Sequence, residues 1–210
     1  MNKDEIETNR ARFVRLLSET GRAGVERVVV GLDELGFFRS PASTRFHGSE
    51  PGGLLAHSLN VLEQALALRQ VEVAMRPALA ARLPVASVTI AALLHDVCKA
   101  GTYRLVEKFR KDANGRWEKY LGYEADYSSL PIGHGEKSVV RLLRFGLELT
   151  DDEIVAIRWH MQAFDLSDST EAKASFNTAG ERCPLLAVLV AADLLATRLL
   201  EGKLSESGDA

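Results

Sequence analysis

The sequence predicts an all-α helical bundle with one β-hairpin inserted at about 102–123. Three observations predict it. Apolar residues recur at helical spacing through nearly every long segment. Two segments, "VASVTIAALLHDVCK" and "LLAVLVAADLLATRLLEGK", are apolar on almost every side, as helices at the centre of a bundle are. One stretch breaks the pattern: "YRLVEKF", "KDANGR" and "WEKYLGY" read as strand, Asn-Gly turn and strand.

In chain order, residues 3–20 carry Ile6, Phe13, Leu16 and Leu17 on one side, and 23–37 continue with Val25, Val28, Val29, Leu32, Leu35 and Phe37. Residues 39–53, "RSPASTRFHGSEPGG", form a long polar loop of the kind that carries function. A helix is expected over about 54–70. Pro84 suits the first turn of the central helix, and Gly101 ends it. After the hairpin, helices resume near His134. Thr150 and Glu153 form a capping-box pattern that opens a helix through Met161. Residues 163–180 read as irregular, and Pro184 starts the last helix. A single domain is expected over 1–202: N-terminal helices 1–38, the loop 39–53, a core 54–202, and a tail 203–210 that should fray.

Composition narrows the function. Hydrophobic residues make up 46% and charged residues 26%, which excludes a disordered or fibrous chain. The net charge of −3 gives no global field that draws the protein to nucleic acid. No apolar run spans a bilayer, and "MNKDEIETNRARF" lacks the apolar core of a signal peptide, so a cytoplasmic location and no membrane partner are expected. Cys98 and Cys183 do not make a disulfide framework, and Cys98 reads as a small buried residue rather than a nucleophile. The stretch "PIGHGEKSVV" suggests a phosphate loop, but the G-x-x-x-x-G-K-[ST] spacing is absent, as is G-x-S-x-G.

The chain has five histidines: His47, His57, His95, His134 and His160. His95 and Asp96 interrupt the central apolar helix, and Asp193 interrupts the last one. A carboxylate in such a place is costly unless it is paired or bound to a metal. Each residue alone fits a bland structural role. Together they are the side chains from which helical bundles build metal sites, contributed by several apolar helices.

The order His57, His95–Asp96, Asp193 resembles the H…HD…D signature of the HD-domain metal-dependent phosphohydrolases, in an "LLHD" context. His134 and His160 are similar to the two additional histidines of the binuclear members. "FHGSEPGGLLAHSLNV" is similar to the HD domain of bacterial 3′–5′ exoribonucleases and to small phage-type HD hydrolases. The similarity spans roughly 43–200. There is no GYP motif and no separate nucleic-acid-binding domain, and the hairpin lies outside the minimal signature.

The resemblance implies an HD-domain-like bundle and an enzyme that hydrolyses a phosphoester of a nucleotide or nucleic-acid end with metal-activated water. It implies one metal on His57, His95, Asp96 and Asp193, and a second on Asp96, His134 and His160, with Asp96 bridging. Such ligands suit Mn, Fe, Co, Ni or Zn, with Mg an option. Lys99 matches the "HDxxK" form, in which the lysine meets phosphate; its alternative is a helix-end cation. Arg45, His47, Lys137 and Arg158 are candidate substrate contacts, each with surface charge as the alternative. Asp165 is a candidate to orient a ligand imidazole. Trp159 and Phe164 are set between base stacking and core packing. Backbone N–H groups at the helix start near His134 are expected to be free for a phosphate. The expected partner is a small phosphoester or nucleotide, with a short oligonucleotide as the alternative. A non-catalytic nucleotide-binding HD module and a purely structural bundle are the remaining readings. The first predicts a broken ligand set, and the second leaves Asp96 and Asp193 unexplained.

Overall fold

The computed structural model describes residues 1–45, 48–112 and 114–202. Its α-helices are α1 (Lys3–Ser18), α2 (Val25–Glu34), α3 (Gly53–Met75), α4 (Leu79–Arg82), α5 (Val85–Leu94), α6 (His134–Arg144), α7 (Asp151–Trp159), α8 (Thr170–Arg182) and α9 (Pro184–Leu195). Strands β1 (Tyr103–Lys111) and β2 (Trp117–Ala125) form one antiparallel hairpin between α5 and α6. The result is a helical bundle with an inserted hairpin, as the periodicity predicts.

The centre is α5, whose residues from Ser87 to Leu94 are all buried. Such burial leaves no polar face, which is why its sequence is apolar throughout. α3, α7 and α9 pack around it, and α6 packs on α7. α1 closes one side through Phe13, whose ring lies 5.4 Å from those of Phe37 and Phe38 in a 3₁₀ turn. A partly buried ion pair ties the α1–α2 connection to α7. Arg22, between α1 and α2, donates two hydrogen bonds of 2.8 and 2.7 Å to the fully buried Glu153 of α7. Glu153 also accepts from the backbone N–H of Thr150, forming the capping box expected there.

The hairpin pairs Tyr103 with Ala125 through Lys111 with Trp117. Asp112 accepts from the backbone N–H groups of Asn114 and Arg116, and Gly115 takes a φ of 77°. That closes the turn at the Asn-Gly pair. Leu105, Phe109, Trp117 and Leu121 are all exposed on the hairpin. Among the described residues, no single helix is long and apolar enough to cross a membrane.

Three differences from expectation exceed one helical turn. The central helix stops at Leu94 rather than at Gly101, and a 3₁₀ turn over Val97–Lys99 follows. α3 runs to Met75, five residues past its expected end. Residues 170–182 are helical, not irregular. α8 buries only Ala179, so it has almost no apolar stripe to read. Its signal is Ser169, whose hydroxyl accepts from the N–H of Ala172 as an N-cap.

α6 and α7 meet at Gly135. A Cβ there would fall 2.2 Å from the carbonyl oxygen of Arg158 and 2.6 Å from that of Ile157. Gly135→Ala is therefore expected to push α6 off α7. The cost should be about 1–3 kcal/mol, with a Tm lower by roughly 3–8 °C in thermal denaturation. An unchanged Tm would show that the two helices do not depend on this approach.

Candidate metal centre

The break after Leu94 is what builds the site. His95 caps the end of α5, and Asp96 leaves the helix with φ −103° and ψ 18°. Its carboxylate therefore projects across the bundle instead of following the helical row. The turn is pinned from α6 and from its own end. Arg141 donates to the carbonyls of Val97, Cys98 and Ala100. Ser138 accepts from the N–H of Cys98, and the Thr102 hydroxyl donates to the Cys98 carbonyl.

Around Asp96 the fold gathers four imidazoles, a lysine and a second carboxylate. The Oδ2 atom lies 2.6 Å from Lys99 Nζ, 3.4 Å from His95 Nε2 and 3.6 Å from His57 Nε2. The Oδ1 atom lies 2.7 Å from His134 Nε2 and 3.4 Å from His160 Nε2. His57 Nε2 is also 3.3 Å from Asp193 Oδ1. Ring centroids are 5.4 Å apart for His57 and His95, 4.9 Å for His95 and His160, and 5.3 Å for His134 and His160. Among the described residues, three overlapping triplets have ligand atoms close enough to share an ion: His57–His95–Asp193, His95–Asp96–His160 and Asp96–Cys98–His134.

Three of the rings are oriented alike. His95 Nδ1 is 2.9 Å from the carbonyl of Ala92, His160 Nδ1 is 2.7 Å from that of Ile157, and His57 Nδ1 is 3.1 Å from both oxygens of Glu201. Carbonyl and carboxylate oxygens only accept, so each Nδ1 carries the hydrogen and each Nε2 turns inward. The Nε2 atoms of His95 and His160 are buried there with no hydrogen-bond partner among the described residues. A lone pair facing carboxylate oxygens repels them unless a cation lies between. The donor set thus fits a metal ion.

Protons meet part of this need in the metal-free chain. Burial opposes the charged form of His57, but hydrogen bonds to Asp193 and Glu201 outweigh it and raise its pKa to about 9. Burial likewise opposes charge on His134, yet Asp96 and Cys98 raise it to about 10. In His160 burial wins and the pKa falls. Asp96 stays well below the usual carboxylate range despite complete burial, because Lys99, His95 and His134 favour its anion. Asp193 is also lowered against its burial, by His57 and His95.

The remaining candidates are placed as follows. Asp193, read as enclosed by apolar residues, keeps 25% of its side chain exposed, so this edge of the cluster is open. Lys99 is not on a continuous helix face with Asp96, but the 3₁₀ turn brings the two together. Asp165 does not touch an imidazole. Its oxygens accept from the N–H groups of His134 and Gly135, at 3.3 and 3.2 Å. Glu136 takes the N–H of Gly133. The helix start expected to be free for phosphate is therefore filled by protein carboxylates. Arg158 is committed to Glu136 and Asp165 and lies 3.9 Å above the Trp159 ring. Trp159 packs on Phe176, while Phe164 is exposed. Lys137 is buried one turn from His134. Arg45 is exposed, and His47 lies outside the described residues.

Two residues gain a place at the site that the sequence reading did not give them: Glu201, which it did not single out, and Cys98, which it read only as a small buried residue. Glu201 orients His57 and is itself held by Asn60, whose Nδ2 donates to it at 2.9 Å. It lies just past a π-helical segment, Ala196–Leu200, that extends α9, so helical spacing from Asp193 does not point to it. Cys98 places its sulfur 3.1 Å from His134 Nε2, and its only sequence signal is its distance from Asp96.

Three outcomes follow from this geometry. A metal takes His57 and His134 only after their protons leave, so binding near pH 7 should release up to about two protons. Affinity should rise with pH and level off above about 9–10. Calorimetry in buffers of different ionisation enthalpy reads this. Both folded pKa values lie above the ordinary 6.5. The stability these imidazoles add to the metal-free protein is thus full below 6.5 and lost as pH rises through 9–10. Glu201→Gln should weaken metal binding about 10–100-fold by loosening the His57 ring, as measured by competition with a chelating dye.

In comparison with known proteins, no protein-family model matches the chain, and neither the curated proteins nor the solved structures yield a match.

Proposed function

We propose that the chain is a metal-dependent phosphohydrolase with an HD-type binuclear centre, acting on a phosphoester of a nucleotide. The observation that carries this reading is the convergence of inward-turned Nε2 atoms on the two oxygens of one buried carboxylate. His57, His95, Asp193 and the Oδ2 side of Asp96 would hold one ion. His134, His160 and the Oδ1 side would hold the other. Divalent transition ions, when bound, supply a hydroxide-like nucleophile near neutral pH and positive charge for the phosphoryl oxygens.

The chain's own residues prepare the rest. Lys99 and the imidazoles hold the Asp96 carboxyl well below the usual carboxylate range, which favours its anion as a metal ligand. Lys99 stays protonated, its charge favoured by Asp96 against burial. With Asp96 shared with bound ions, that ammonium would be available to a phosphoryl oxygen. Backbone carbonyls and Glu201 hold the rings in place and limit reorganisation during the reaction. Asp193 marks one open edge, through which water would reach the cluster. The net charge of −3 favours a small substrate over a nucleic-acid duplex.

The test is a panel of phosphomonoesters, phosphodiesters and short oligonucleotides with Mn, Fe, Co, Ni, Zn and Mg. Metal-dependent turnover is expected, and Asp96→Asn should lower kcat/KM by about 10³-fold. Purified protein without bound transition metal and without metal-dependent turnover would overturn the reading, as would an Asp96→Asn variant of full activity. Stepwise shortening of the oligonucleotides would move the substrate to nucleic-acid ends.

A further inference from the structure

Beside the cluster lies a small pocket of about 110 Å³, whose lining includes Lys99, Tyr103, Tyr127, Ile132, His134 and Lys137. Its Tyr103 is the first residue of β1, and Tyr127 follows β2 closely, so the inserted hairpin frames it. A water takes about 30 Å³, and sites for whole organic ligands run to roughly 300–1,000 Å³. The pocket therefore has room for one tetrahedral oxyanion and not for a nucleoside.

Lys137 is the unusual group here. Only 5% of it is exposed. No acceptor among the described residues lies within hydrogen-bonding reach of its ammonium. The neighbouring cations are both engaged, Lys99 by Asp96 and Arg141 by three backbone carbonyls. The Lys137 stem is buried and the residue lines the pocket, where a partly desolvated ammonium with no anion beside it carries a cost. Consistent with that cost, burial and Arg141 push the Lys137 pKa down. His134 and Lys137 are three residues apart on α6 and so share a face. His134 meets Asp96 at 2.7 Å, which makes an anion on Lys137 an immediate neighbour of the cluster.

We propose that this pocket seats a terminal phosphoryl group through Lys137, which makes the substrate class a phosphomonoester rather than a phosphodiester. A monoester carries three terminal oxygens and close to two negative charges; a diester carries two oxygens and one charge. Lys137 supplies the additional donor that the third oxygen needs, apart from the groups gathered on Asp96. In the reaction, a bond from water oxygen to phosphorus forms and the bond from phosphorus to the alcohol oxygen breaks. The water proton ends on the alcohol, and no oxidant or reductant is required. The rest of the substrate passes out between Tyr103 and the exposed Tyr127.

The monoester assignment rests on the phosphohydrolase reading; the anion subsite does not. Inorganic phosphate titrated into the chelator-treated full chain by calorimetry tests the subsite alone. Wild type should bind phosphate, Lys137→Met should lose about tenfold or more in affinity, and Lys137→Arg should recover much of it. Circular dichroism would verify that both variants fold. In the metal-loaded protein, Lys137→Met should lower the ratio of kcat/KM for p-nitrophenyl phosphate to that for bis-p-nitrophenyl phosphate by about tenfold, mainly through KM. Wild type that binds no phosphate, or Lys137→Met that binds it equally, would overturn the subsite. An unchanged ester ratio would overturn the monoester assignment. Phosphate binding at Lys137 without turnover of either ester would keep the subsite and sink the phosphohydrolase reading.

Discussion

A single buried carboxylate sets the terms for the rest of the molecule. Asp96 lies at the middle of an apolar bundle, where an isolated anion is not tolerated. The fold compensates by surrounding it. Lys99 comes from its own turn, His57 from α3, His95 from the end of α5, His134 from α6 and His160 from the end of α7. Each contributing element has to reach the same point, which constrains how the helices pack. The pair formed by Arg22 and Glu153 and the close approach at Gly135 then belong to the site as much as to the fold, because both hold α7 in place.

The carboxylate reaches that point because the helix ends before it. Had α5 continued through Lys99, Asp96 would have lain along a helical row. The 3₁₀ turn redirects it, and α6 stabilises that turn through Arg141 and Ser138. α6 therefore serves the centre twice. It supplies His134 and fixes the backbone from which Asp96 extends.

The polar groups near the centre divide into those already satisfied by protein and those that are not. Asp165, Glu136 and Arg158 satisfy one another and the start of α6, and they are engaged in holding His134. The inward nitrogens of His95 and His160 and the ammonium of Lys137 have no such partners among the described residues. That asymmetry separates scaffold from ligand-binding groups more sharply than proximity does. Arg158 lies as close to the second histidine pair in sequence as any candidate, yet its charge is already used.

Much of this was legible in the chain itself. Helical periodicity, the Asn-Gly hairpin and the Thr150–Glu153 cap are local signals, and each matches an observed element. His57, His95, Asp96 and Asp193 were visible as polar residues within apolar helices, where burial makes them conspicuous. α8 was not legible, because a helix that buries one residue leaves no stripe. Glu201 and Cys98 were not legible either, since their relation to His57 and His134 exists only after distant segments meet. The same holds for the use of Asp165 and Arg158 and for the solitude of Lys137. The sequence by itself determined which residue types were available and on which helices. Tertiary packing decided which of them face one another, because pairing between side chains depends on contacts that local periodicity does not encode.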